Sequence, residues 1–280
     1  MHRDTGLASS DAQTDFLRAR RANAMARLGQ RLRREPSDIN LILPFEEVLA
    51  ALGRVGERDL GLQVISLDSI VGTVDRTREF DRQFRPTSAR VRRRWERIAA
   101  AQRRGEPMPP IDAYRIGELH FVRDGHHRVS VARALRREDI DAYVIEVRTR
   151  VGLARTIRLA DLPLKSHERL FGERVPLPED ARARISVHGA EAWGDLAETV
   201  EAWGFRVMQE RATFMDRVEV ARAWYEDEYL PVVVMLREAD LLGDGTEAEA
   251  YMRVACKRYQ LMRTHEWSEE IVAQLAREMR

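Results

Sequence analysis

Residues 109–147 constrain the fold more than any other part of the chain. Two short β-rich runs, 111–116 and 119–122, flank the Gly117-Glu118 pair, a pattern that suits a tight hairpin. Asp124-Gly125 ends the second run. Beyond it Val129, Val131, Ala132, Ala134 and Leu135 recur at helical spacing, and 140–147 returns to a strand pattern. The expected order is hairpin, sharp turn, helix and returning strand.

That order has a chemical use at Asp124-Gly125-His126-His127-Arg128. Gly125 lets the backbone turn sharply and lets a ligand approach it closely. The helix that follows directs free N–H groups and the positive end of its dipole at whatever sits in the turn. Arg128 adds a donor fork suited to phosphate, His126 and His127 add donors, and Ser130 lies near the helix start. The plainer alternative is an ordinary strand–helix turn with a solvated arginine. Adjacent helical residues point about 100° apart, so His126 and His127 do not readily share an ion, and no metal site is expected.

The rest of the chain sets bounds. With 280 residues there is room for about two domains, and 44% hydrophobic with 33% charged residues fits a globular chain with a heavily charged surface. A formal net charge of +1 does not by itself advertise nucleic acid. One cysteine, Cys256, excludes an internal disulfide, and its apolar neighbours suggest a packed position. No apolar run is long enough for a membrane span and no leader pattern is visible, so a cytoplasmic protein is expected.

Taken in order, residues 1–14 are polar and expected to be disordered. A helix is expected over 15–34, carrying Arg18, Arg20, Arg21, Arg27, Arg31, Arg33 and Arg34, with Phe16, Leu17, Met25, Leu28 and Leu32 as its docking side. Such a helix also suits nucleic acid, an anionic membrane surface or an acidic partner, and the downstream strands should fold without it. Pro44 opens a helix over 45–52, residues 53–61 read as a charged loop, and 62–67 as a strand. Gly72-Thr73 reads as a turn leading into Asp75-Arg76-Thr77-Arg78-Glu79-Phe80-Asp81. Residues 88–102 read as a helix capped by Ser88, and 153–159 as a further strand.

Helices then dominate. They are expected over 161–171, 178–185 and 190–204, the last with Trp193, Leu196, Val200 and Trp203 on one packing face. A helical pattern over 214–242 should kink or break at Pro231. Thr246 and Glu249 form a capping box for 247–263, and Ser268 precedes a last helix.

Residues 62–148 resemble the ParB/sulfiredoxin superfamily through Pro109-Pro110-Ile111, the hairpin, the 124–135 turn and helix, and Ile140-Asp141-Ala142-Tyr143-Val144, with Leu67-Asp68-Ser69-Ile70 like that family's opening strand and helical turn. In ParB proteins the matching turn holds nucleotide phosphates, and in free-serine kinases it reads Asp-Gly-His-x-Arg. His126 stands where sulfiredoxins carry cysteine, so sulfinic-acid repair is not implied. His126-His127 replaces the ParB acidic-plus-arginine pair, so CTP is not assured. The segments Trp224-Tyr225, Tyr229-Leu230-Pro231-Val232-Val233 and 246–251 resemble an uncharacterised helical domain that follows ParB-like domains in some bacterial proteins.

The resemblance implies an α+β fold with three parts: an Arg-rich arm (1–59), a ParB/sulfiredoxin-like nucleotide-binding domain (60–150) and a helical domain (151–280). It implies CTP or ATP with Mg2+ held by Asp124, Gly125, His126, His127, Arg128 and Ser130, with Arg76 or Arg78 reaching phosphate. Asp75 or Glu79 would serve as base or, with Asp124, as magnesium ligand, and His126 or His127 would stabilise a transferring phosphoryl group. Slow NTP hydrolysis or phosphotransfer, and a homodimer, are the activities and state implied. The competing expectation is a non-enzymatic DNA-associated or scaffold protein that contacts phosphates through residues 18–34 and 90–97.

Overall fold

The strand patterns assemble into one mixed sheet in the computed structural model, which describes residues 5–36 and 38–262 together with Ser268, Glu270 and Arg277. Its strands are β1 (Leu43–Pro44), β2 (Arg54–Ser66), β3 (Ile70–Thr73), β4 (Ile111–Ile116), β5 (Leu119–Asp124) and β6 (Asp139–Thr149). They lie side by side in the order β1-β3-β5-β4-β6-β2. The β4–β5 hairpin and the β2–β6 pair are antiparallel; β1–β3, β3–β5 and β4–β6 are parallel. With its helices the fold is α+β.

The chain divides into two compact units, Met1–Leu162 and Pro163–Arg280. The sheet belongs to the first. Side chains alternate between its faces, as a two-residue period requires. Val122 and Val144 join the core formed with α3 (Arg92–Arg103) and α4 (His126–Ala134), while Phe121 and Val147 join the core formed with α2 (Phe45–Leu52). Gly72 lies flat against Phe121, whose ring would overlap any side chain there.

Helix α1 (Ala8–Leu32) departs most from expectation. It begins within the segment expected to be disordered. Its buried residues are Asp11, Ala12, Asp15, Phe16, Asn23 and Gln30, whereas Leu17, Met25, Leu28 and Leu32 point outward. The docking side is polar because the body offers polar partners. Asn23 donates to Asp81 Oδ2 at 2.7 Å and Asp15 pairs with Arg103 at 2.7 Å. Phe16 meets Trp95 edge-on, with ring centres 5.5 Å apart. The arm is therefore packed into the first unit.

Other differences have local causes. Residues 54–61, expected as a loop, form the first half of β2 because they pair with β6, with a bulge between Asp59 and Gly61. The expected division at 59/60 falls inside this strand. Gly72 and Thr73 belong to β3 rather than to a turn. Helix α3 starts at Arg92; Ser88 Oγ instead accepts from Arg90 N in the bend before it. No strand forms over 153–159, which leads into a 3-10 turn at Leu159–Asp161.

The second unit is helical: α5 (Leu162–Arg174), α6 (Glu179–Ala183), α7 (Ala190–Arg211), α8 (Arg217–Ala223), α9 (Leu230–Glu238) and α10 (Glu247–Met262). Trp193, Leu196, Val200 and Trp203 all enter its core. Pro231 cannot donate to the preceding turn, and residues Trp224–Tyr229 widen into a π-helix in which Leu230 N bonds to Tyr225 O. Thr246 and Glu249 form the expected reciprocal cap of α10. Cys256 lies on the outer side of that helix and is exposed, contrary to the packed position expected for it. The helix expected after Ser268 lies outside the described residues. No helix among the described residues is long and apolar enough to cross a membrane.

Candidate functional site

Gly125 joins β5 to α4 in the left-handed region, at φ 101°. A β-carbon there would overlap the side chain of Ile111. The position thus needs glycine twice, for conformation and for space. Among the described residues no side chain caps α4, so the N–H groups of His126, His127 and Arg128 open the helix without a side-chain acceptor there. Main-chain donors at a helix start are groups that an anion can engage.

The side chains divide differently from the expectation. Arg128 does not project toward a ligand. Its Nη1 donates to the carbonyls of Pro109 (2.7 Å) and Pro110 (2.5 Å), and its Nη2 to Asp124 Oδ2 (2.7 Å). Three acceptors from two neighbouring segments make the guanidinium a brace that holds the chain entering β4 against the turn. Ser130 is likewise committed: buried, it accepts from Trp95 Nε1 at 2.8 Å and ties α4 to α3.

His126 and His127 are both buried. His126 Nε2 lies 2.6 Å from Thr73 Oγ1. The Thr73 hydroxyl also bonds the carbonyl of Asp75 and lies 3.3 Å from that of Val122. With the hydroxyl proton directed at a carbonyl, His126 Nε2 is the donor, a tautomer assigned from the network. His127 packs edge-on to Phe80 at 5.4 Å, and its Nδ1 is buried with no hydrogen-bond partner among the described residues. An orphaned buried nitrogen is a costly arrangement that calls for a ligand or an ordered water.

Burial pushes the His126 imidazole down to about 4, with help from the nearby Arg76 cation, and burial with Arg94 and Arg76 pushes His127 to about 4. His120 on β5, bonded through Nδ1 to Ser69 Oγ at 2.8 Å, is pushed to about 4 by burial and by Arg115. All three imidazoles are therefore neutral near pH 7 and act as hydrogen-bonding groups rather than cations.

The loop 75–81 comes to this turn, but unevenly. Arg76 lies within electrostatic reach of both motif histidines, as do Glu79 and, for His126, Asp75 and Asp124. Arg76 holds a left-handed conformation at φ 61° and pairs with Glu79 at 3.0 Å. Arg78 lines instead a cavity of about 490 Å³ walled by Thr77, Phe80 and the α1 residues Asn23 and Arg27. No group of three or more potential metal ligands converges among the described residues. The carboxylates Asp75 and Glu79 suit magnesium only in its usual nucleotide role, where phosphates and water supply most ligands.

Three contributors were not singled out as site residues by the sequence: Thr73, Phe80 and Arg94. Thr73 and Phe80 sat in the right stretch without a distinguishing pattern. Arg94 is one of several arginines on its helix, and only the packing of α3 beside α4 selects it.

Comparisons with known proteins bring no match: no family model, no curated protein and no solved structure is similar to this chain.

Proposed function

We propose that the first unit binds a nucleoside triphosphate, CTP or ATP with Mg2+, and that the phosphates sit at the start of α4. The main-chain N–H groups of His126, His127 and Arg128 would hold one phosphate and Arg76 and Arg94 would balance its charge. The observation that carries this reading is the conjunction at one turn: an obligatory left-handed glycine and, among the described residues, a helix start without a side-chain cap and a buried His127 nitrogen without a hydrogen-bond partner. Arg128 contributes as the brace of that turn.

The reading is of binding first. Neutral histidines can donate to a phosphoryl oxygen without titrating, which suits recognition. Hydrolysis or phosphotransfer needs a base, and Glu79 is paired with Arg76 until a ligand separates them. Asp75 or Glu79 would hold magnesium, which would supply charge neutralisation for the phosphates.

A thermal-shift panel of CTP, ATP, GTP and ADP, each with and without magnesium, tests the reading. A triphosphate at about 100 times its Kd should stabilise the first unit by about 2.7 kcal/mol. Arg76→Gln should weaken binding about tenfold or more while leaving the unliganded melting temperature unchanged. Arg78→Gln should do so far less. Absence of any shift across the panel would remove the proposal.

A further inference from the structure

From residue 16 to residue 34 the chain carries seven arginines and no acidic residue. On α1 this segment is two-faced in an unusual sense. Ala12, Phe16, Asn23 and Gln30 recur at helical spacing and face the body. Leu17, Met25, Leu28 and Leu32 recur at spacings of eight, three and four and face outward, 45%, 65%, 49% and 76% exposed. Arg21 lies among them, Arg20 flanks them, and Arg27 and Arg31 lie at the border with the cavity beside Asn23 and Gln30; none of these four has an ion-pair partner among the described residues, while Arg18 is paired to Asp15 and Arg33 to Glu35. The helix runs for 25 residues, roughly 37 Å at 1.5 Å per residue.

We infer that the outward face of α1 docks on an anionic lipid surface, its leucines and methionine entering the headgroup boundary and its arginines meeting lipid phosphates. Charge complementarity and apolar area select this occupant together. A second copy of the same face would set arginine against arginine with no acid to relieve them. Duplex DNA would satisfy the arginines and leave the leucines and Met25 in water, where their exposure serves nothing. An anionic bilayer covers both kinds of side chain along the length of a helix lying flat on it. The inference does not depend on nucleotide binding, because the inward face and the turn keep their contacts.

Flotation of the full chain with vesicles tests this. One set contains phosphatidylglycerol and phosphatidylcholine, the other phosphatidylcholine alone. The chain should float with the anionic set only, and added salt should weaken it. Leu28→Ser with Leu32→Ser should lower the bound fraction by about tenfold or more, with an unchanged circular dichroism spectrum because both side chains are exposed. Arg20→Gln or Arg21→Gln should each lower it about fivefold. No flotation with anionic vesicles overturns the inference. So does a leucine double variant that floats like the parent, which would reduce the contact to charge alone. Retention by duplex DNA without vesicle binding would assign the face to nucleic acid instead.

Discussion

The turn at residues 124–128 and helix α1 both read as cationic in the sequence, and they dispose of their arginines in opposite directions. At the turn, Arg128 is folded inward onto Pro109, Pro110 and Asp124. On α1, polar side chains and Phe16 go inward while arginines and leucines face out. The contrast shows that hydrogen-bond commitments, more than the number of arginines, decide where an anion can sit. The turn engages its arginine in the architecture, whereas Arg20, Arg21, Arg27 and Arg31 of α1 have no ion-pair partner among the described residues.

Acid should break the turn side of this contrast with the largest effect. His120, His126 and His127 are held near 4 in the fold, against 6.5 for an ordinary histidine. Below pH 6.5 the unfolded chain takes up protons that the folded chain refuses until about pH 4. Stability is therefore full above the first value and declines as pH falls toward the second, by up to about 1.4 kcal/mol per pH unit for each histidine. Denaturant titrations across that range should show the decline in the first unit. A flat profile would mean that the imbalance between sealed imidazoles and outward guanidinium groups is not real.

The two faces of α1 separate next. Phe16→Ala, removing a fully buried ring stacked edge-on to Trp95, should cost about 3–5 kcal/mol in equilibrium unfolding. Leu28→Ser, on the outward face, should change stability by less than about 0.5 kcal/mol. Equal costs would show that α1 is not docked as described.

These two positions also mark how far the sequence could be read. The hairpin, the turn, α4 and the returning strand were legible because each carries a local signal: alternation, a glycine at a strand end, helical spacing. Helix α1 was legible as a helix but not in its orientation. Choosing the apolar residues as its docking side follows the usual rule for amphipathic helices. The rule fails here because Asp81 and Arg103 lie far along the chain and make the polar side the better fit. The β2 strand was half hidden for a similar reason, since its charged first half is held by pairing with β6 and not by its own composition. At the site, the motif located Gly125 and the histidines. It could not tell that Arg128 and Ser130 are already engaged, nor that Arg76 and not Arg78 approaches the histidines, because those assignments are made by tertiary contacts.

A smaller effect is expected for Arg128→Ala. Removing the brace should cost about 1.5–3 kcal/mol of stability, measured by urea unfolding, since it leaves two carbonyls and a carboxylate without their charged donor. Any loss of nucleotide affinity should accompany that loss of stability. Full stability with abolished binding would instead return Arg128 to the role of a phosphate fork.

The most direct measurement follows the backbone amide resonances of His126, His127 and Arg128 by nitrogen-15 NMR as a nucleoside triphosphate and magnesium are added. Phosphates held at the start of α4 should shift these three amides most, together with the side chain of His127. Saturable shifts confined to other parts of the first unit, with these amides unmoved, would contradict the account.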